Sequence, residues 1–235
     1  MSHAITLASG DQLHYQLERR QRRTVGLKIT AHGLVVHAPK RISQAQLEGI
    51  IEQKADWIRK KLNALVENKL PAIHWQHGET LWYLGNSITL AVEHNLRSKA
   101  VEYEPGVLQL AMPHHDDASL IARKVIQWYK KQALIDFTRR LEIFSSKLGV
   151  SFNAFNLSNA SSRWGSCNSK KQIRLNWRLL QAPPHIINYV VCHELAHLKE
   201  MNHSAKFWAT VASIYPDYKL AEKELKALSA SLHRI

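Results

Sequence analysis

The sequence predicts an α+β fold, because stretches with strand periodicity and stretches with helical periodicity follow one another in blocks. Between residues 12 and 38, apolar and polar side chains alternate in short runs, as expected for strands and a hairpin. From 44 to 66 the apolar residues recur at helical spacing behind Ser43, a favourable N-cap. Strand-like runs return from 75 to 112. Residues 1–112 are therefore predicted to form a β-rich N-terminal module with one long helix.

The second half of the chain predicts a further domain, residues 113–235, that packs with the first as one unit. A second long helix is expected from 116 to about 148, followed by strands at 155–158 and 172–177. The pair Pro183-Pro184 then opens a third helix, since proline is tolerated in a first helical turn.

The composition indicates a globular protein of the cytoplasm. The 235 residues are 45% hydrophobic, and no run approaches the ~20 apolar residues that a membrane span needs. The first residues lack the apolar core of a secretion signal. The two cysteines, Cys167 and Cys192, cannot form a disulfide framework, which fits a reducing compartment.

The charge of the chain favours anionic partners. Thirty-two Lys and Arg residues against 19 Asp and Glu residues give a formal net charge of +13. Such a field attracts nucleotides, nucleic acid or acidic peptides. The basic clusters are scattered along the chain and are not interleaved with aromatic residues, so they do not form an RNA-binding pattern.

The third predicted helix carries the motif His193-Glu194-Leu195-Ala196-His197. Two histidines four residues apart lie on one face of a helix and can both reach a single ion at the Zn–N distance of about 2.0–2.1 Å. Glu194 then lies beside the open coordination position, where it can take a proton from metal-bound water and pass it to a leaving group. The motif predicts a zinc-dependent hydrolase with one Zn²⁺ per chain and Glu194 as its catalytic residue.

A third ligand is needed, and His203 is predicted to supply it. The motif helix can stop shortly before His203, and Ser204 can cap the helix that follows. A downstream carboxylate, Glu222 or Glu224, is the alternative, as in sites with two His and one Glu. The three-His spacing is also that of metzincins, but Glu200 replaces their required glycine and no later methionine is present for a Met-turn.

Three segments of the sequence carry a resemblance to a known family: Arg163–Cys167, Ile173–Leu179 and Tyr189–His197. They resemble the YgjP-like metallopeptidases, which are related to the SprT and Spartan-type proteases, and the match extends over nearly the whole chain. The resemblance implies a minimal gluzincin-like zincin, with an active-site helix beside a small antiparallel sheet. It also implies that His193, His197 and His203 bind zinc and that Glu194 is the general base.

Three further residues are candidates for substrate binding. Arg163 and Trp164 precede a strand that lies beside the active-site helix in zincins, so an extended peptide could add to that sheet edge. Arg163 could alternatively bind a carboxylate or phosphate through two hydrogen bonds, or both residues could simply pack the strand against the core. Tyr218 is a candidate hydrogen-bond donor to an oxyanion.

Three functions remain open from the sequence. The first is a metallopeptidase that acts on peptides or unfolded protein. The second is a metal-dependent hydrolase of nucleotides or other phosphate compounds, similar to a pyrophosphatase, whose substrate the positive charge would attract. The third is a nucleic-acid-associated protease of the SprT type, for which salt-dependent DNA binding would be diagnostic.

Overall fold

The fold is α+β, as predicted. The computed structural model describes residues 2–30, 33–67 and 71–235. It divides into two units, Met1–Lys69 and Leu70–Ile235, each with its own hydrophobic core. The boundary predicted at residue 112 therefore lies inside the second unit. The physical reason is that the strands between 80 and 112 share one core with the long helix that follows them.

The first unit is a four-stranded sheet followed by two helices. The strands are β1 (Ser2–Thr6), β2 (Gln12–Arg20), β3 (Gly26–Thr30) and β4 (Gly33–Pro39). Their order in the sheet is β1-β2-β4-β3, with β2 and β4 parallel and the other pairs antiparallel.

The helix predicted over 44–66 is two helices, α1 (Gln44–Gln53) and α2 (Ala55–Glu67). Ser43 caps α1 in a capping box with Gln46, as its position predicted, and the chain leaves helical geometry at Lys54. An unbroken helix of that length would extend about 35 Å, whereas a four-stranded sheet is only about 15–20 Å wide. The break lets Ile51 of α1 and Ile58 of α2, both fully buried, reach the same core.

The second unit opens with another four-stranded sheet and a long helix. These elements are β5 (Thr80–Tyr83), β6 (Asn86–His94), β7 (Glu102–Glu104), β8 (Val107–Met112) and α3 (Ala118–Leu148). Asp117 caps α3, and Gly149 ends it in the left-handed conformation, so the predicted helix is confirmed to within two residues.

The two four-stranded sheets have the same topology. The second sheet has the order β5-β6-β8-β7, with β6 and β8 parallel and the outer pairs antiparallel. Each sheet is also followed by helix. The sequence shows no corresponding internal repeat, because the shared feature is the pairing of the strands rather than the identity of the residues.

The rest of the second unit is a three-stranded sheet and three helices. The strands are β9 (Ala154–Ser158), β10 (Gly165–Cys167) and β11 (Gln172–Asn176), and a 3₁₀ turn spans Trp177–Gln181. The helices are α4 (Pro184–Ala196), α5 (Ala205–Ile214) and α6 (Tyr218–Leu232).

The sheet beside α4 has the order β10-β11-β9. Strands β10 and β11 are antiparallel, but β9 and β11 are parallel, so the sheet is mixed rather than wholly antiparallel as expected. The sequence pattern did not assign residues 165–167 to a strand, but they form β10, which packs against α4. Its three residues, Gly-Ser-Cys, have little intrinsic strand preference, and only their pairing with β11 defines them.

A buried arginine of α3 fixes α4 against α3. Arg140 of α3 is 7% exposed and pairs with Asp136 at 2.6 Å. Its guanidinium also donates to the carbonyl oxygen of Pro184 at 3.3 Å and to the side-chain oxygen of Asn188. The charge of Arg140 is therefore fully compensated, and the first turns of α4 are held in place.

Among the described residues, no helix has both the length and the apolar character required to cross a bilayer.

Candidate metal centre

The structure brings His193, His197 and His203 together at the end of α4. His193 lies in the last turn of α4, His197 is its C-cap residue, and His203 lies in the segment before α5. One ring nitrogen from each lies within 4.8 Å of the others, and the Nε2 atoms of His193 and His203 are 3.1 Å apart. Two nitrogen ligands of one tetrahedral zinc ion would be about 3.3 Å apart at the usual bond length. The spacing of the three rings therefore fits one shared ion.

The protonation of the rings also fits a metal centre. Burial, together with the neighbouring rings of His197 and His203, lowers the pKa of His193 to about 4. Burial also lowers the pKa of His197. Both rings are thus neutral near pH 7, which is the form that binds metal. The Nδ1 atom of His197 lies 3.1 Å from the carbonyl oxygen of Glu200, so donating a proton there leaves Nε2 free for an ion.

Glu194 is a buried carboxyl group next to the first histidine. Glu194 is 4% exposed, and burial raises its pKa to about 8, with Arg163 acting in the opposite direction. Within the part of the chain that the structure describes, its Oε2 atom has no hydrogen-bond partner. A buried and unpaired carboxyl oxygen is costly in folding, so its presence beside three imidazoles indicates a chemical role.

The segment after α4 is shaped so that His203 turns back toward the helix. Ser204 caps α5, as predicted, by accepting a hydrogen bond from the Phe207 amide at 3.3 Å. The backbone amide of Ser204 in turn donates to the side chain of Asn202 at 3.1 Å. These two bonds hold the residues on either side of His203 in a defined turn.

An aromatic layer, consisting of Phe207, Trp208 and Tyr218, covers one side of the three rings. Phe207 contacts all three histidines, with ring centroids 4.5–4.9 Å apart. Trp208 contacts His193 and His203, and Tyr218 stacks on Trp208 at 5.1 Å. The layer excludes water from that side and fixes the orientation of the rings.

The alternative carboxylate ligands have other partners. Glu224 pairs with His185, and Glu222 accepts a hydrogen bond from Lys226 at 2.8 Å. Neither belongs to the group of side chains that converges on one point among the described residues. The geometry therefore favours His203 as the third ligand.

The predicted substrate-binding residues have different surroundings. Arg163 is exposed and lies close enough to Glu194 to influence its pKa. Trp164 stacks on His233 at 4.3 Å and packs against the core, which is the structural alternative considered for it. Tyr218 belongs to the aromatic layer at the start of α6.

Two features near the site were not predicted. In the sequence, Phe207 looks like an ordinary core residue. Only the structure shows that its ring contacts all three histidines. Gly165 lies directly against the side chain of Glu194. The signal in the sequence was that this glycine lies in Arg163–Cys167, one of the three segments that carry the family resemblance.

The fold and the site together are those of a candidate metal-dependent hydrolase. The family model described as "YgjP-like, metallopeptidase domain" matches residues 23–228. The chain therefore belongs to the YgjP-like family, which confirms the resemblance found in the sequence. Membership in a metallopeptidase family is consistent with a cluster of side chains that could hold a metal ion.

The similar proteins and solved structures match a smaller part of the chain than the family model does. The UTP pyrophosphatase of Escherichia coli (strain K12) is 34% identical over 82 residues, which cover 34% of this chain and about half, 49%, of that relative. Two crystal structures of metallopeptidase zymogens, Pyrococcus abyssi abylysin and Methanocaldococcus jannaschii jannalysin, are each 23% identical. They cover 39% of this chain and 94% and 93% of theirs, with TM-scores of 0.36 and 0.34. These structural similarities are too weak to assign a function.

Proposed function

We propose that this protein is a zinc-dependent metallopeptidase in which His193, His197 and His203 hold one zinc ion and Glu194 is the general base. The observation that carries the proposal is the convergence of three ring nitrogens within 4.8 Å beside a buried carboxyl group. Family membership supports a peptidase.

In this proposal, the zinc ion and Glu194 have different roles in the reaction. A bound zinc ion would polarise the scissile carbonyl and lower the pKa of water. Glu194 accepts the proton on its carboxylate and returns it to the leaving amine. Burial raises the pKa of this carboxyl to about 8 against the opposing effect of the Arg163 guanidinium. A zinc cation bound beside the carboxyl would lower that pKa toward the neutral range in which a general base is most effective.

The proposed substrate is an extended stretch of a peptide or unfolded protein. Strand β10 is an edge strand of its sheet and packs against α4, which carries Glu194. An extended chain that paired with this edge would run past the site, and its backbone hydrogen bonds would give affinity without sequence preference. Arg163, just before β10, would bind an acidic group of that chain.

A second candidate is hydrolysis of nucleoside triphosphates. The similarity to a UTP pyrophosphatase and the net charge of +13 both favour it. The same three histidines and Glu194 would serve, since metal sites support attack on phosphorus as well as on carbon.

The two candidates are separated by offering both substrates to one preparation. We expect the zinc-loaded protein to cleave unfolded protein and peptides, and Glu194→Gln to bind zinc but cleave nothing. Glu142→Gln, the same change at an exposed position of α3, should retain full activity. Hydrolysis of UTP without any peptide cleavage would overturn the peptidase and establish the second candidate.

A further inference from the structure

We propose that Gly165 is a positioning residue, whose lack of a side chain provides the space that the carboxyl group of Glu194 occupies. A Cβ atom built at position 165 would lie 2.6 Å from both Cγ and Cδ of Glu194, and its carboxyl oxygen Oε1 is nearer still. Carbon atoms in proteins pack at about 3.5–4.0 Å. Alanine at this position therefore cannot coexist with the observed position of Glu194.

The requirement for glycine is one of space and not of backbone conformation. Six described glycines have a positive φ angle, in which a side chain would be strained, and Gly165 is not among them. It is an ordinary strand residue that pairs with Leu175 of β11. Any residue could adopt this backbone, so the close approach of Glu194 is what excludes a side chain.

The backbone on the strand side cannot easily move away. Leu175, the partner of Gly165, is fully buried, and the amide of Asn176 donates to the carbonyl oxygen of Trp164 at 2.8 Å. The side chain of Asn176, itself fully buried, donates to the carbonyl oxygen of Ala160 at 2.7 Å. These contacts hold the segment that leads into β10.

The helix side is equally fixed. Val191, Cys192 and Leu195 around Glu194 are fully buried in α4. A new Cβ atom therefore displaces the one group with rotatable bonds, the side chain of Glu194. The three histidines lie outside this contact and keep their positions.

This inference rests on the proposed function for its catalytic consequence. If Glu194 is the general base, its displacement lowers kcat and leaves KM almost unchanged, because the substrate edge of β10 is intact. A misplacement of about 1 Å costs on the order of 100-fold in rate. We expect this loss in Gly165→Ala, with zinc affinity within about threefold of the wild type, since no ligand is altered.

A double-mutant cycle tests the contact without metal or substrate. In the metal-free protein, Gly165→Ala should lower the urea midpoint of unfolding, whereas in the Glu194→Ala background it should not, because the obstructing atoms are gone. Gly49→Ala is the control, since a Cβ there meets nothing within 4 Å and its φ is not positive. Gly49→Ala should leave kcat unchanged, and its effect on the urea midpoint should be the same with and without Glu194→Ala.

Equal midpoint shifts of Gly165→Ala in both backgrounds would overturn the contact. Full kcat in Gly165→Ala, or loss of zinc binding, would overturn the positioning role even if the contact exists. If the wild type proves to have no peptidase activity, the same kcat comparison is made on UTP. The unfolding cycle tests the contact between position 165 and Glu194 without any activity. Failure of this contact can therefore be distinguished from failure of the proposed function.

Discussion

At the scale of single residues, the main feature of the site is a cluster of three polar rings, His193, His197 and His203, that contact one another. Three imidazole nitrogens face one another within 4.8 Å, and the neutral rings present lone pairs that repel unless a proton or a cation lies between them. A metal ion would satisfy all three nitrogens at once, and this favours the proposal that the cluster binds one.

The third ligand can be tested by comparing two variants. His203→Ala should weaken zinc binding by more than about 100-fold, because even the loss of an outer hydrogen-bond partner costs 10–100-fold. Glu224→Gln, in a residue that pairs with His185 instead, should leave the affinity within about threefold of the wild type. Competition with a chromophoric chelator measures both. The opposite pattern would assign the third position to the carboxylate.

The burial of Glu194 predicts a pH-dependent cost in the metal-free protein. Its folded pKa of about 8 is raised above the ordinary value of 4.5, so the folded state binds the proton more tightly than the unfolded state. The cost of ionisation is absent below pH 4.5, grows as the pH rises and is complete above pH 8.

Glu194→Gln cannot ionise and avoids this cost. We expect the metal-free variant and wild type to have similar urea midpoints at about pH 5 and the variant to be the more stable at about pH 9. Glu142→Gln serves as the exposed control and should match the wild type at both values. A difference that does not change with pH would show that Glu194 titrates normally.

At the scale of elements, the turn between β5 and β6 contacts the segment that leads into α4. The amides of Leu84 and Gly85 donate to the carbonyl oxygens of Leu180 and Gln181, at 2.9 and 3.0 Å. Gly85 also packs against Pro183, the residue before α4. These contacts add to the core shared with α3 in joining the strands after residue 80 to the second unit.

Two glycines with the same backbone conformation measure the value of that contact. Gly85 and Gly106 have φ angles of 83° and 86°, but a Cβ at Gly85 would lie 2.9 Å from the Cα of Pro183, whereas one at Gly106 meets nothing within 4 Å. Gly106→Ala should cost about 1–2 kcal/mol in the free energy of unfolding, from the backbone alone. Gly85→Ala should cost a further 1–3 kcal/mol or so, from overpacking. Equal losses in urea unfolding would contradict the contact.

The elements that the sequence predicted were those with a long periodic pattern or a strong end signal. The capped helices that follow Ser43 and Asp117 and the helix after Pro183 begin where their caps and prolines indicate. Strand β10 was missed because its residues have little strand preference of their own and are defined by pairing with β11 and packing on α4. The break at Lys54 was missed because it depends on how both helices reach one core. Local pattern contains no information about those contacts.

In the site, too, features set by local sequence were predicted and features set by other elements were not. The spacing of His193 and His197 predicted their shared face, because helix geometry is local. The offset of His203 was suggestive, and the structure brings its ring to the other two. Gly165 could not be recognised, because the space it leaves is defined by α4, which lies later in the chain.

At the scale of the whole molecule, the positive charge is shared by both units. Residues 1–69 contain twelve Lys and Arg residues against six Asp and Glu residues, and residues 70–235 contain twenty against thirteen. The net charges are thus +6 and +7. Both units are therefore basic, and the shorter first unit has the higher charge per residue, so each unit would attract an anionic partner.

We propose such a partner and predict how its binding depends on salt. Single-stranded DNA is a suitable probe, and the logarithm of its association constant should fall linearly with the logarithm of the salt concentration. The slope reports the number of phosphates neutralised. Absence of binding at low salt would exclude a nucleic-acid partner, and binding that does not respond to salt would show that charge is not its cause.

The central claim is that one metal ion, held by three histidines, and the carboxylate of Glu194 together cleave peptide bonds. Its most direct test is a titration of the metal-free protein with zinc while new amino termini released from an unfolded protein are counted. We predict that the rate rises in proportion to zinc and levels off at one equivalent, whereas Glu194→Gln takes up the same equivalent and releases none. Cleavage by the metal-free protein, or equal cleavage by Glu194→Gln, would contradict the claim.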